Sequence, residues 1–281
     1  MLLKLQVKAI HLRNLCEQFI IVFMFKKAGH LIIHKFDSVP YVLGYIGRTF
    51  RCSFSFLKTN ASRKILIMQL LFTFIEALPL IAFISTAMGT GIFLVGNSFL
   101  TSIGQGSLIY QLLTIVITLE LGPLIVGFVV IARSATAIAT ELGNMVVTHQ
   151  IESYIACGVD PISHLVAPRF LGVTLSVFFL NLYFNFCGLL GPALIQFMIN
   201  PITVSTYLRG ILSGLSLSVI LTSLLKSLLF GMIISITATF YGFNVERAST
   251  EVPVAGIHAV GNSVLGMIII DAFVIVMFYV L

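Results

Sequence analysis

The stretch from Glu120 to Arg169 reads ELGPLIVGFVVIARSATAIATELGNMVVTHQIESYIACGVDPISHLVAPR. It begins within an apolar run that carries Glu120 and Arg133, and it ends in a polar segment that closes on Pro161. Charged side chains inside an apolar run are costly in lipid unless they face protein or water. The stretch therefore predicts a membrane helix that leads directly into a short helix outside the hydrocarbon.

The composition places the whole chain in a membrane. Of its 281 residues, 58% are hydrophobic and only 9% are charged, whereas about a quarter are charged in soluble domains. The net charge is +6, and 11 of the 16 Lys and Arg residues lie between Lys4 and Lys64. Basic residues collect on the cytoplasmic side of membrane proteins, so the N-terminus is expected in the cytoplasm or its equivalent. No nucleic-acid partner is expected, because long apolar runs follow directly.

Apolar runs predict five transmembrane helices, because a crossing needs about 20 apolar residues. Their predicted bounds are roughly 65–87, 110–135, 170–194, 215–240 and 263–281. Residues 36–57 predict an N-terminal helix in the headgroup region, with Arg side chains reaching phosphate; the alternative is an ordinary cytoplasmic helix packed on the spans. Residues 1–35 are a basic extension. The predicted fold class is an all-α integral membrane protein.

Charged side chains within the predicted spans mark candidate functional positions. They are Glu76, Glu120, Arg133, Lys226 and Asp271. Such groups face the interior of a bundle and form pairs, so Lys226 is predicted to pair with Asp271 or with Glu120. The Gly122-Pro123 step weakens the helix after Glu120 and opens space beside the acid. Arg133 is predicted to extend to interfacial water.

The polar part of the stretch predicts a short amphipathic helix. Thr148 is expected to cap its start, and Gly158 and Pro161 are expected to end it. Ile151, Tyr154 and Ile155 fall at i, i+3 and i+4 and form one apolar stripe. Such a helix can dock into a groove of a soluble partner or lie on the membrane surface.

Motifs of nucleotide-hydrolysing, serine-hydrolase and zinc-protease sites are absent from the sequence. His149 and His164 are expected at the surface rather than on a metal. The chain is therefore expected to be a non-enzyme without a cofactor of its own, and any ATP hydrolysis belongs to another subunit.

Many positions of the opening stretch match a family pattern in order and spacing. They are Glu120, Leu121, Gly122, Pro123, Ala132, Arg133, Glu141, Leu142, Gly143, Met145, Thr148, Gln150, Ile151, Gly158, Val159, Asp160, Pro161, Leu165, Pro168 and Arg169. On these residues the chain resembles the permease family of the Mla/Mce-type lipid ABC transporters, including its plastid-encoded relatives. Leu119 stands where the family often has Arg, and Glu152 stands where it usually has Asp.

The resemblance implies a permease domain at residues 36–281, with a coupling region at 141–169, that works as a homodimer. Two ABC ATPase subunits would supply ATP and Mg²⁺, and an Mce-domain substrate-binding protein would sit on the outer side. The resemblance further implies that Glu120 and Leu121 line a lipid cavity between the two copies. The residues implied to dock on the ATPase are Thr148, Gln150, Ile151 and Glu152.

The expected function is ATP-driven movement of lipids between the membrane and the Mce-type carrier. The expected lipid class is phospholipid. A bacterial inner membrane and a plastid (chloroplast) membrane both fit; the 24 Phe and absence of Trp suit an AT-rich genome of either origin.

One alternative is an ion-coupled secondary transporter that uses Glu76, Glu120 and Asp271 as relays. Another is a membrane scaffold whose short helix only recruits a partner.

Overall fold

The computed structural model describes residues 39–56, 63–199, 203–246 and 248–280, and all regular structure in these ranges is helical. The predicted extension at residues 1–35 lies outside the described residues. The chain divides into one compact unit that ends at Arg48 and another that begins at Thr49. Within the first unit the structure describes helical residues 39–48, and the second unit is the helical bundle described below.

The helices in chain order are Val39–Phe56, Arg63–Thr73, Leu78–Ser102, Leu108–Thr114, Gly122–Val130, Thr136–Val147, Gln150–Ala156, Ala167–Ile199, Thr203–Gly214, Leu217–Phe243 and Val252–Val280. Short 3-10 turns lie at Ile75–Ala77 and Ser249–Glu251. Wider π-helical segments lie at Ile115–Leu121, Ile131–Ala135 and Ile162–Val166.

Five helical stretches are long and apolar enough to cross a membrane, and they are called spans 1 to 5. They are Ile65–Ser102, Leu108–Val147, Ile162–Leu194, Leu217–Phe243 and Ser249–Phe278. The predicted fold class, an all-α integral membrane protein, is confirmed. The buried fraction of an apolar 18-residue stretch differs among the spans. It is 50% in span 2 and 44% in spans 3 and 4, against 22% in spans 1 and 5. Spans 2, 3 and 4 therefore form the centre of the bundle.

Several spans extend well beyond their predicted ends. Span 1 continues to Ser102 rather than ending near residue 87, and span 5 begins at Ser249 rather than near residue 263. Residues 88–102 contain Gly, Ser and Thr but no charge, and hydroxyl groups there donate to backbone carbonyls of the preceding turn, as Ser98 Oγ does to Leu94 at 2.9 Å. Polar but uncharged side chains that bind their own helix do not end it.

Proline positions in spans 1 and 2 coincide with changes of helix type. Pro79 lies in the first turn of Leu78–Ser102, directly after a 3-10 turn. Pro123 lies in the first turn of Gly122–Val130, directly after the π-helical segment Ile115–Leu121. Proline lacks an N–H and clashes with the carbonyl four residues earlier, so the preceding turn has to rewind. The second rewinding places Glu120 on a π-helical segment, a feature often found at functional sites.

Glycine contacts hold the central spans close together. A Cβ at Gly89 of span 1 would overlap the carbonyl group of Gly188 in span 3, and a Cβ at Gly231 of span 4 would lie 2.7 Å from the Cα of Thr174 in span 3. Small residues at such crossings let the backbones of two helices approach closely. The resulting van der Waals contacts hold the helices together in lipid, where the hydrophobic effect does not. The position of span 3 between spans 1 and 4 therefore depends on glycine.

The helix Thr203–Gly214, here the Tyr207 helix, packs beside the start of span 2. The Tyr207 hydroxyl donates to the Leu189 carbonyl at 2.7 Å, and its ring meets Phe93 and Tyr110 edge-on at 5.1 and 5.8 Å. Burial raises the pKa of the Tyr207 phenol, with Tyr110 adding to the effect, so the hydroxyl stays a donor. The bundle end that carries this helix is called the Tyr207 end. The connection between the predicted spans 170–194 and 215–240 is thus largely helical.

Replacing Gly89 with Ala is expected to destabilise the fold by about 1–3 kcal/mol, because the added methyl group meets backbone that cannot move aside. The measurement is the melting temperature of the purified protein in detergent. Gly91→Ala is the matched control, because nothing lies within 4 Å of a Cβ at Gly91. Equal melting temperatures for the two variants would contradict the close crossing of spans 1 and 3.

Candidate functional site

Lys226 is the centre of an ionic cluster inside the bundle. Its side chain is 0% exposed. Its Nζ donates to both carboxylate oxygens of Glu120, at 3.1 and 3.0 Å, and lies 2.9 Å from Asp271 Oδ1. The sequence predicted one of these partners, and the structure places Lys226 with both. One ammonium group thus joins span 2, span 4 and span 5.

The contact between Lys226 and Asp271 differs in kind from the contact with Glu120. The 2.9 Å separation makes it an ion pair, yet Asp271 Oδ1 has no aligned hydrogen bond among the described residues. Distance governs charge attraction, whereas a hydrogen bond also needs alignment, so we treat the contact as ionic. Glu120 is therefore the better bonded of the two carboxylates.

The backbone of span 2 supplies a further acceptor to the same ammonium group. Lys226 Nζ donates to the Leu119 carbonyl at 3.2 Å. In an α-helix this carbonyl would accept from the residue four positions later, which is Pro123 and has no N–H. The Leu119 side chain is buried, and its carbonyl is a further oxygen that accepts from the Lys226 ammonium group.

The cluster carries two carboxylates against one ammonium group. The Glu120 side chain is 30% exposed, against 13% for Asp271, and Leu121 beside it is partly buried. Glu120 is thus the member that extends toward the surface of the chain. Its predicted place at a cavity between two copies stays a prediction.

Two asparagines that the sequence reasoning missed pack beside the cluster. Asn181 Nδ2 donates to Ser223 Oγ at 3.0 Å. A Cβ at Gly122 would lie 2.7 Å from Asn181 Oδ1 and 2.8 Å from Asn185 Oδ1, so only glycine fits beside Glu120. The signal for this contact is in the sequence, because Asn residues four apart in an apolar run share one helix face.

Arg133 binds Glu76 at 2.6 Å, which joins span 2 to span 1. This contact gives Arg133 a partner that the sequence did not predict, and it accounts for the acid in span 1. Glu141 binds Arg169 at 2.7 Å, which joins span 2 to span 3. Arg169 is 5% exposed and also donates to the Leu165 carbonyl at 2.9 Å. Both pairs therefore link span 2 to a neighbour.

About half of the predicted coupling region at 141–169 is a continuation of the spans. Glu141 and Gly143 lie on the helix Thr136–Val147, and Pro168 and Arg169 lie in the first turn of Ala167–Ile199. A Cβ at Gly143 would lie 3.0 Å from the Val245 side chain. The segment that stands apart from the bundle is shorter, at about residues 148–161.

The helix Gln150–Ala156, here the Gln150 helix, begins differently from the prediction. Thr148 does not cap it, because the Thr148 hydroxyl donates to the Asn144 carbonyl at 2.7 Å and closes the preceding helix. His149 instead holds the capping position with a φ of 58° and makes no side-chain cap. The His149 ring contacts Glu152 at 3.0 Å. The bundle end that carries this helix is called the Gln150 end.

The end of the Gln150 helix follows the expected glycine pattern. Gly158 has a φ of 75°; its N–H donates to Ile155 at 3.0 Å, and the Val159 N–H donates to Tyr154 at 2.9 Å. These paired bonds are a Schellman motif, which needs the left-handed conformation that glycine adopts freely. Asp160 then accepts from the Ser163 N–H at 3.3 Å, beside Pro161.

The Gln150 helix has a surface available for contact. None of its residues is buried, and Glu152 is exposed. In the predicted stripe, Ile151 and Tyr154 are partly buried and Ile155 is exposed. An exposed helix with apolar and acidic side chains suits a groove on another protein.

Replacing Lys226 with Met is expected to cost about 3–5 kcal/mol, because two carboxylates are then left without their cation. The measurement is thermal unfolding in detergent. The matched variant adds Glu120→Gln and Asp271→Asn, which removes the stranded charges and is expected to recover more than half of the loss. If the single and the triple variant unfold at the same temperature, the ionic account of the cluster is wrong.

Comparison with known proteins places the chain in a family. The family model for Permease MlaE matches residues 66–277. A probable ABC transporter permease protein of Rickettsia typhi is 28% identical over 221 residues, which cover 79% of this chain and 85% of that protein. The chloroplastic protein trigalactosyldiacylglycerol 1 of Arabidopsis thaliana is 30% identical over 179 residues, 64% of this chain and 51% of that protein.

The intermembrane phospholipid transport system permease protein MlaE of Haemophilus influenzae is 25% identical over 162 residues, 57% of this chain and 62% of that protein. The resemblance carried by the stretch from Glu120 to Arg169 is confirmed. The family match begins in span 1 and ends within span 5, so this integral membrane protein belongs to the MlaE permease family.

Proposed function

We propose that the chain is the transmembrane subunit of an ABC transporter that moves phospholipids between the membrane and an outer carrier. The ATP would be hydrolysed with Mg²⁺ in separate ATPase subunits, and the chain itself would act as a permease. Membership in the MlaE family supports the transporter class. The name of the Haemophilus relative, a phospholipid transport permease, supports phospholipid as the cargo.

The observation that carries the proposal is the continuity of span 2 between the ionic cluster and the Gln150 helix. Glu120 and Val147 lie on one helical span, separated by about 40 Å at 1.5 Å per residue. A push on the Gln150 helix would therefore move Glu120 rather than be lost in a flexible loop. The Arg133–Glu76 and Arg169–Glu141 pairs would carry the same shift to spans 1 and 3.

The assembly that this mechanism needs has three kinds of partner. A second copy of the chain would complete a lipid cavity at Glu120 and Leu121. ATPase subunits would bind the Gln150 end through Gln150, Ile151 and Glu152, and this end would face the cytoplasm or stroma. A carrier with an Mce domain would meet the Tyr207 end on the outer side and exchange lipid with the cavity.

Ionic pairing disfavours the relay alternative. Glu76 binds Arg133, and both Glu120 and Asp271 contact Lys226. Acids held by fixed cations are suited to joining spans, whereas a relay needs groups that gain and lose a proton during transport. The scaffold alternative predicts binding of a partner without any lipid transfer.

Combining Ile151→Asp with Glu152→Lys is expected to lower the ATPase activity of the purified material by about tenfold or more relative to wild type. The reason is that the apolar and the acidic docking contacts are lost together. The measurement is ATP hydrolysis by the material that co-purifies with the chain in mild detergent. Glu246→Lys is the control, since Glu246 is exposed on the connection between spans 4 and 5. Full activity in the double variant, or none in the wild type, would contradict the docking role.

Replacing Glu120 with Gln is expected to slow ATP-driven phospholipid transfer by about tenfold, because a charge-assisted contact at the cavity is lost. The Lys226–Asp271 pair would remain, so the complex should still assemble. The measurement is transfer of a fluorescent phospholipid from proteoliposomes, with ATPase activity as the control for assembly. An unchanged transfer rate would remove Glu120 from the lipid pathway.

A further inference from the structure

A pocket of about 440 Å³ lies toward the Tyr207 end, between span 3, span 4 and the Tyr207 helix. This volume falls within the range of small-molecule binding pockets. Its lining side chains are apolar except for Thr118 and Asn185. Neither Glu120 nor Leu121 lines it, so it is separate from the cavity proposed above.

The two polar side chains of the pocket have unused hydrogen-bonding atoms. Thr118 Oγ1 and Asn185 Oδ1 are buried and have no partner among the described residues. A helical threonine can donate to the carbonyl four residues earlier, as Thr114 does to Tyr110 at 2.8 Å. Thr118 lies in the π-helical segment Ile115–Leu121 and does not make this bond. Buried polar atoms without partners cost free energy, which a polar group in the pocket would recover.

The pocket is bordered by side chains that the chain leaves exposed. Leu182 and Phe186 lie on span 3, and Leu208 and Leu212 lie on the Tyr207 helix; all four are exposed. The exposed face of span 3, which carries Leu182 and Phe186, borders hydrocarbon in the membrane, so the molecules that reach this opening are lipid chains. An apolar pocket open to lipid gains contact energy when a chain fills it, because an empty void leaves its wall without packing partners.

We propose that this pocket binds one acyl chain of a membrane glycerolipid. The Thr118 hydroxyl donates to the ester carbonyl of that chain, and the apolar lining packs against its methylene groups. Thr118 lies two residues before Glu120 on the same segment, so an occupied pocket supports the π-helical turn that presents Glu120. The inference rests on the proposed function for lipid as the cargo, but binding is measured without ATP and is independent of transport.

The test uses the full-length protein in nanodiscs that contain phosphatidylglycerol with a photoactivatable diazirine in one acyl chain. After irradiation, peptide mass spectrometry locates the label. We expect stronger labelling at residues 182–190 and 208–215 than at Ile269, which is exposed on span 5. Leu212→Trp fills the opening and should lower labelling of span 3 by about fivefold. Leu217→Trp is the control. Leu217 is as exposed as Leu212, at 72% against 71%, but it does not line the pocket.

A second variant tests the polar contact. Thr118→Val keeps the side-chain shape and removes the hydroxyl, and it should lower labelling by about fivefold. Span 3 labelling that matches Ile269, or that neither Leu212→Trp nor Thr118→Val lowers, would overturn the pocket. Normal ATP-driven transfer with an unlabelled pocket overturns this inference alone, whereas a labelled pocket without any ATP-driven transfer overturns the proposed function alone.

Discussion

A lysine that is fully buried in a membrane-spanning helix constrains the structure around it. Removing an ammonium group from water costs several kcal/mol, and the bilayer offers no water in return. Lys226 therefore has to be met by protein, and it is met by Glu120, Asp271 and the Leu119 carbonyl. These partners come from spans 2 and 5, so the rotation and the depth of three spans are set by one ammonium group.

The irregular backbone of span 2 follows from the same contact. Pro123 removes the N–H that the Leu119 carbonyl would use in an α-helix, and Lys226 supplies a donor to that oxygen. Gly122 permits the approach of Asn181 and Asn185, whose side chains would collide with any Cβ. Beyond this region span 2 stays helical to Val147. Span 2 is rewound near Glu120 and again at Ile131–Ala135, yet it stays one continuous helical segment with its ionic contacts near one end.

The sequence predicted the all-α fold and the pairing of Lys226, because apolar length and isolated intramembrane charges are direct physical signals. The ends of the spans were predicted less well, since uncharged Ser and Thr residues remain helical when their hydroxyls donate to backbone carbonyls. Thr148 was assigned to the wrong helix for the same reason. The role of Glu76 was hidden, because its partner Arg133 is 57 positions away, and periodicity carries no information at that separation.

The central claim is that energy from ATP in a partner subunit reaches a lipid site through span 2. The most direct test measures phospholipid transfer out of proteoliposomes that contain the purified complex, with ATP, with a non-hydrolysable analogue, or with an imposed proton gradient alone. The account predicts transfer with ATP and not under the other two conditions. Transfer at the same rate with the analogue, or transfer driven by the proton gradient, would contradict it.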